Sequence, residues 1–97
     1  MNSTKGKKSV DSVTITVRFV TIMQRYSGQR ELHMEVPSDP SQALAIIIEK
    51  FRIPWKRKLE KSTRIFINKQ FSEKFIETNQ TLKAGDVIAF IPMSGGG

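Results

Sequence analysis

Three consecutive glycines, Gly95, Gly96 and Gly97, close the sequence and are its first candidates for chemistry. Glycine adds no side-chain packing, and it loses more conformational freedom than any other residue when it is ordered. A glycine arm is also the thinnest that a polypeptide can form, so it can enter a narrow channel and present its terminal carboxylate unobstructed. An enzyme that adenylates or acylates a chain end needs that access. From the glycines alone, a reactive arm and a frayed end or expression remnant remain equally open.

Side-chain chemistry is limited because the chain has no cysteine and one histidine, His33. Without cysteine there is no disulfide, no thiolate zinc site and no cysteine nucleophile. A metal site needs several converging ligands, which a single histidine does not supply. No glycine-rich phosphate loop follows a predicted strand, and no Ser–His–Asp grouping can be assembled around His33. We therefore expect a surface histidine and no metal site.

The chain is basic, with 16 lysine and arginine residues against 9 acidic ones and a formal net charge of +7. The densest basic segment is Lys56-Arg57-Lys58, followed by Lys61 and Arg64. This segment could track phosphates, steer the chain onto an acidic protein, or form a solvated turn. Because Glu60 interrupts it and no ladder of aromatic residues accompanies it, we favour the solvated turn over a nucleic-acid site.

The 97 residues fit one small domain with a polar N-terminal segment. Residues 1–12 include three lysines and almost nothing to bury, which predicts a disordered basic tail. They lack the apolar segment of a signal peptide. The longest wholly apolar run, Ala43–Ile48, is far too short to cross a bilayer. We therefore expect a cytoplasmic protein with no membrane partner.

The first half of the domain predicts two strands and a helix. Apolar and polar residues alternate over Val13–Phe19 and again over Leu32–Val36, the period of half-buried strands. A loop around Tyr26–Arg30 would join them as a hairpin. Asp39 can cap a helix that begins at Pro40, where the missing N–H of proline is harmless. The apolar face of this helix would consist of Leu44, Ile47, Ile48 and Phe51, and the helix should end near Arg52 or Ile53, because Pro54 disfavours helix before it.

The second half of the domain predicts two further strands. One covers Arg64–Asn68, and the stretch from there to Gln80 is expected to be irregular or to carry one short strand. Gly85 supplies the permissive backbone of a turn. Val87–Ile91 is then a short, continuously apolar strand of the kind found in the middle of a sheet. Strand, strand, helix, strand, strand is the order of a small α+β domain.

The ending of the chain, residues 81–97, resembles that of the MoaD/ThiS sulfur-carrier proteins, which are small ubiquitin-like β-grasp domains. The shared features are a leucine, a Gly-Asp turn, an apolar strand with an aromatic residue, a proline and a terminal diglycine, here Leu82 to Gly97. Val13–Gly28 also resembles the start of MoaD. Three departures are Met93 in place of a second proline, a third glycine, and extra residues around 72–80.

The resemblance implies a β-grasp fold over residues 13–92, with a mixed sheet of four to five strands, one main helix on one face, and a flexible tail at 93–97. It also implies a function. In this family, a partner that resembles ubiquitin-activating enzymes uses ATP to adenylate the terminal carboxylate, here that of Gly97 after Gly96, and a sulfur donor converts it to a thiocarboxylate. MoaD proteins then donate the sulfur within molybdopterin synthase, whose large subunit is catalytic. The carrier itself is not an enzyme and binds no cofactor.

The resemblance further implies a surface for these partners. Family members often have an acidic residue directly after Gly-Asp, which implies that Val87, Ala89 and Ile91 face outward while Ile88 and Phe90 enter the core. An exposed apolar patch for partner enzymes would then consist of Val20, Phe71 and Ile91, and the tail that enters the partner would include Pro92, Met93, Ser94 and Gly95.

Three alternative functions remain: two keep the activated C-terminal glycine, and one does not use it. A ubiquitin-like modifier would couple its C-terminal glycine to lysines, and a thiamine-pathway carrier would differ in its sulfur acceptor. A basic nucleic-acid-binding module would instead lose affinity steeply with salt and would not need the glycines.

Overall fold

The computed structural model describes residues 11–93, which contain five strands and three α-helices. The strands are β1 (Ser12–Phe19), β2 (Glu31–Pro37), β3 (Thr63–Ile67), β4 (Gln70–Phe71) and β5 (Val87–Pro92). The helices are α1 (Gln24–Ser27), α2 (Pro40–Lys50) and α3 (Ser72–Glu77), together with a 3₁₀ turn at Thr21–Met23 and a π-helical turn at Trp55–Leu59.

The strands form one mixed sheet in the order β2-β1-β5-β3-β4. β1 and β5 are parallel, whereas β2 pairs with β1, and β3 pairs with both β5 and β4, in antiparallel fashion. The predicted central position of the last strand is confirmed, since β5 has β1 on one side and β3 on the other. Its continuously apolar sequence suits a strand with no free edge.

The core lies between the sheet and α2, and it is built from alternate residues of the strands. Ile15, Val17 and Phe19 of β1 are buried, as are Ile88 and Phe90 of β5, so the predicted register is confirmed. The rings of Phe19 and Phe90 stack with centroids 5.4 Å apart. Parity decides this arrangement, because successive side chains of a strand point to opposite faces of the sheet.

The predicted start of α2 is confirmed, and its end comes earlier than expected. Asp39 Oδ2 accepts a hydrogen bond from the Gln42 backbone N–H at 2.9 Å, which caps the helix. The helix ends at Lys50 rather than near Ile53, because Arg52 takes a left-handed φ of 52°. The Ile53 N–H then bonds back to the Ile48 carbonyl at 2.9 Å, so the chain turns sharply before Pro54.

The structure corrects three local predictions. The chain between β1 and β2 forms a 3₁₀ turn and α1 rather than a simple hairpin loop, and Gly28 ends α1 with a φ of 78°. Residues 72–77 form α3, not irregular chain, because Phe75 packs into the core. β1 begins at Ser12, and the Asp11 carbonyl accepts a hydrogen bond from the Ser38 N–H, so residues 11 and 12 are not part of a tail. Residues 1–10 of that predicted tail lie outside the described residues.

This mixed sheet, with α2 packed across one face, is the predicted ubiquitin-like β-grasp fold. Within residues 11–93, α3 borders the opposite face at the β4 edge, where Glu73, Lys74 and Glu77 line a depression together with Arg64 and Phe71. In the same range, no helix has the length and apolar character needed to cross a bilayer.

Candidate functional site

The C-terminal segment leaves the domain from the end of its central strand. Pro92 of β5 pairs with Thr63 of β3. The next residue, Met93, donates its backbone N–H to the Ser62 carbonyl at 2.7 Å. On the other side, the Val20 N–H bonds to the Phe90 carbonyl at 3.1 Å. Backbone hydrogen bonds to both neighbouring segments therefore fix the position from which the chain departs. The predicted tail residues Ser94, Gly95, Gly96 and Gly97 lie outside the described residues.

An aromatic cluster holds this end of β5 against the core. Phe90 is fully buried and stacks on Phe19, while Trp55 meets it edge-on with ring centroids 6.2 Å apart. Phe51 meets Phe19 edge-on at 5.3 Å. Aromatic pairs of this kind add stability beyond the area they bury. The exit point of the tail is thus adjacent to a buried aromatic cluster.

The open face of the sheet carries an apolar surface that extends toward that exit. Phe66 of β3 lies opposite Phe71 of β4, with ring centroids 4.9 Å apart, and opposite Ala89 of β5. A depression of about 520 Å³ lies along this face. Its lining residues are Arg18, Phe66, Asn68, Lys69, Val87, Ala89 and Ile91. A shallow apolar floor with cationic and amide groups at its rim is suited to contact with another protein.

The structure separates the three residues of the predicted patch. Ile91 lines the depression, and Phe71, which is 49% exposed, lies at its side through its contact with Phe66. Val20 instead lines a neighbouring depression together with Thr21, Gln24 and Arg30. The surface around the depression therefore centres on Phe66 and Ala89, which the predicted patch omitted. The sequence did contain a signal for Phe66, because it alternates with Ile65 and Ile67, which are buried, and so faces outward.

Polar groups of the described residues do not assemble into a catalytic or metal site. No cluster of three or more His, Cys, Asp or Glu side chains that could hold a metal occurs within residues 11–93. His33 lies on the exposed β2 edge, with Nδ1 3.4 Å from Thr16 Oγ1. Arg18 and Glu31 form an exposed ion pair at 3.5 Å. What this part of the chain offers is a fixed exit for a tail and an apolar face beside it.

Comparisons with known proteins identify what this geometry is similar to. The sequence profile of the ThiS family matches residues 17–97. No curated protein sequence matches the chain. Among solved structures, small archaeal modifier protein 1 (SAMP1) from Methanosarcina acetivorans superposes with a TM-score of 0.68 at 20% identity, covering 90% of this chain and 99% of its own.

Two further structures have the same fold. SAMP1 from Haloferax volcanii gives a TM-score of 0.64 at 17% identity and covers 87% of this chain and 99% of its own. A candidate molybdopterin converting factor, subunit 1, from Pyrococcus furiosus gives 0.53 at 20% identity and covers 84% and 98%, respectively. These superpositions establish a shared β-grasp fold, and at identities this low they establish the fold alone.

Proposed function

The chain belongs to the ThiS family, and from that premise we propose that it is a sulfur carrier whose reactive group is the C-terminal carboxylate of Gly97. A partner enzyme adenylates this carboxylate and converts it to a thiocarboxylate, and the carrier then donates the sulfur. The observation that carries the proposal is the hydrogen bond from Met93 to Ser62, which fixes the start of the tail at the end of the central strand.

A fixed start and a bare arm together suit delivery of a chain end into another protein. Four residues, Ser94-Gly95-Gly96-Gly97, follow Met93, and four residues span at most about 14 Å when fully extended. The terminal carboxylate is therefore confined to a short distance from the packed exit. No side chain larger than that of serine accompanies it, so a narrow channel in the partner can admit it.

The proposed chemistry needs no side chain of this protein. An oxygen of the Gly97 carboxylate attacks the α-phosphorus of ATP held by the partner, and pyrophosphate leaves. The mixed anhydride has AMP as a good leaving group, so a hydrosulfide-level sulfur nucleophile adds to the carbonyl carbon and AMP departs. The product is a thiocarboxylate on the main chain, which is consistent with a sequence that has no cysteine.

The proposed partners are an activating enzyme resembling ubiquitin-activating enzymes and, as the sulfur acceptor complex, the large subunit of molybdopterin synthase. The carrier would be the non-catalytic subunit of that complex. The resemblance of the chain ending to MoaD supports this acceptor, as does the fold shared with the molybdopterin converting factor candidate. The apolar face around Phe66 and Ala89 is the proposed docking surface, since Ile91, two residues before Met93, lines the same depression.

A second candidate function is protein modification, in which the activated Gly97 carbonyl is transferred to a lysine amine. It is supported by the two SAMP1 structures, whose names describe modifiers. A thiamine-pathway carrier is the third candidate and is supported by the family match itself. These candidates share the adenylation step and differ in the nucleophile that follows.

The first test is the intact mass of the untagged protein after incubation with ATP, sulfide and the activating enzyme of its host. We expect a gain equal to the replacement of one oxygen by sulfur, and no gain in a variant that lacks Gly96 and Gly97 but keeps the folded spectrum. An unchanged mass, with an activating enzyme that is competent on another carrier, would contradict the proposal. Lysine-linked conjugates in place of a thiocarboxylate would favour the modifier.

A further inference from the structure

Within residues 11–93, a dense group of exposed cations lies at the end where the tail departs. We define the basic loop as the five exposed cations of the segment between α2 and β3, namely Arg52, Lys56, Arg57, Lys58 and Lys61. Only Glu60 interrupts this set. Exposed Arg25 and Arg30 lie at the same end, because the segment after β1 is tied to the end of β5 through Val20.

The basic loop is attached directly to the tail exit. Ser62, whose carbonyl receives the Met93 N–H, follows Lys61 in the chain and donates its own N–H to the Leu59 carbonyl at 3.0 Å. The π-helical turn is closed by the Glu60 N–H, which bonds to the Trp55 carbonyl at 2.7 Å. Trp55 packs against Phe90. These contacts hold the backbone of the loop in place next to the point of departure.

Among the described residues, the opposite end of the sheet carries more acidic than basic side chains. Hydrogen bonds from Ser38 to Asp11 and from Gly85 to Thr14 bring its segments together. Four of the nine acidic residues of the chain are found there, Asp11, Glu35, Asp39 and Asp86, together with the two cations Lys69 and Lys83. Among residues 11–93, basic side chains are thus denser near the tail exit; Lys5, Lys7 and Lys8, in the segment that precedes Asp11, lie outside the described residues.

The cations of the basic loop are available to an external partner. Within residues 11–93 the only ion pair joins Arg18 to Glu31, so none of the loop cations is neutralised by a described side chain. Unpaired like charges close together repel one another and do not stabilise the fold. A bound anionic surface would relieve that repulsion.

We propose that the basic loop docks on an acidic protein surface at the mouth of the channel through which the activating enzyme takes up the tail. This inference rests on the proposed function. Because the tail spans at most about 14 Å beyond Met93, an enzyme that reaches the Gly97 carboxylate must also approach the segment hydrogen-bonded to Met93. Carboxylates on that approaching rim would pair with the loop and speed association.

Nucleic acid is a weaker match to the same cations. Binding of single strands uses aromatic side chains on which bases stack. The two aromatic residues of this segment are engaged in the core instead, Phe51 against Phe19 and Trp55 against Phe90. The basic loop thus presents charges without a stacking platform, which suits carboxylates.

The test compares two variants of equal net charge in ATP–pyrophosphate exchange catalysed by the activating enzyme of the host. The loop variant is Lys58→Gln with Lys61→Gln. The control is Ser41→Glu with Gln42→Glu, which lowers the net charge equally but on exposed positions in the first turn of α2, at the end remote from the tail. Acidic residues near a helix N-terminus are favourable, so the control should fold normally. KM for the carrier and kcat are measured at about 25 mM and about 300 mM salt, which span weak and strong screening.

We expect the loop variant to raise KM on the order of tenfold at low salt with kcat unchanged, and to flatten the salt dependence of KM, because steering acts on association. The control should behave as the wild type does. Equal KM values for the two variants, with the wild type activated normally, would overturn the inference and leave the proposed function standing. A wild type that is never adenylated would overturn both. Loop-dependent binding of a labelled hairpin RNA at about 150 mM salt, without any loop effect on KM, would assign the loop to nucleic acid instead.

Discussion

Phe66 and Phe71 face each other across the turn between β3 and β4, with ring centroids 4.9 Å apart and planes inclined by 31°. They lie on the side of the sheet opposite the buried face, and Phe71 keeps 49% of its surface exposed. A half-exposed ring contributes less to folding than a buried one, whereas it can bury its remaining area against a partner. The two rings therefore belong to one contact surface that reaches from the β4 edge of the sheet toward the tail exit.

Replacing Phe71 should affect partner binding more than folding. We expect Phe71→Ser to raise KM for activation on the order of tenfold, because aromatic residues dominate the energy of protein interfaces. It should lower the free energy of unfolding by about 1 kcal/mol through loss of the Phe66 contact. Steady-state kinetics and urea unfolding provide the two numbers.

The matched control for that substitution is Ile46→Ser, which removes a hydrophobic side chain that is 40% exposed on α2. α2 packs on the other face of the sheet, so KM should be unchanged. An equal increase in KM for both variants would show that surface hydrophobicity in general, not the open face, determines activation.

Lengthening the tail should abolish modification without affecting the fold. A variant with one alanine added after Gly97 moves the carboxylate by about 3.5 Å and places a methyl group beside it. A channel matched to glycine should reject both changes, so we expect no detectable pyrophosphate exchange and an unchanged unfolding midpoint. A variant with one glycine added separates the length from the methyl group, and full activity of the alanine variant would exclude a tight channel.

Asn68 should be sensitive to substitution for two separable reasons. Its φ is 52°, a left-handed value that alanine adopts at a cost, and its side-chain Oδ1 accepts the Val87 N–H at 2.9 Å. We expect Asn68→Ala to lower the free energy of unfolding by about 1–2 kcal/mol, as measured by urea denaturation. Asn68→Gly removes only the hydrogen bond and Asn68→Asp retains the acceptor, so both should lose less. A glycine variant as unstable as the alanine variant would assign the whole effect to the hydrogen bond.

Truncating Phe90 should destabilise the domain and the end of β5 from which the tail departs. Its ring is fully buried between Phe19 and Trp55, and Phe→Ala in a core typically costs about 3–5 kcal/mol. We expect Phe90→Ala to unfold at much lower urea and to show faster hydrogen exchange at the Met93 amide. Ala89→Ser, at the neighbouring outward position, is the control and should leave both observables near those of the wild type. A loss below about 1 kcal/mol for Phe90→Ala would contradict the aromatic anchor.

The sequence was most informative where a local pattern reports burial directly. The alternation in β1 identified the inward residues Ile15, Val17 and Phe19, and the Asp39-Pro40 pair located the start of α2. The β-grasp topology came from the resemblance of the chain ending, not from alternation, since a period of two says nothing about which strands pair. The roles of Gly96 and Gly97 remain predictions.

Other features escaped local patterns. The stretch that contains α3 was expected to be irregular or to carry one short strand. α3 is short and has no side-chain cap at its N-terminus, and burial of Phe75 stabilises it. The predicted patch consisted of Val20, Phe71 and Ile91; strand pairing across β3, β4 and β5 places Phe66 between Phe71 and Ala89, which no local pattern indicated.

The sequence by itself determined the secondary structure of most strands, the main helix, the family and the glycine ending, because periodicity, capping and terminal residues are properties of neighbours along the chain. Only the tertiary structure decided that the Ser62 carbonyl holds the Met93 N–H and that the basic loop is attached next to the exit. That contact joins residues far apart in the chain, and it exists because β3 and β5 pair side by side in the sheet. Long-range pairing depends on the packing of the whole core, which no local pattern encodes.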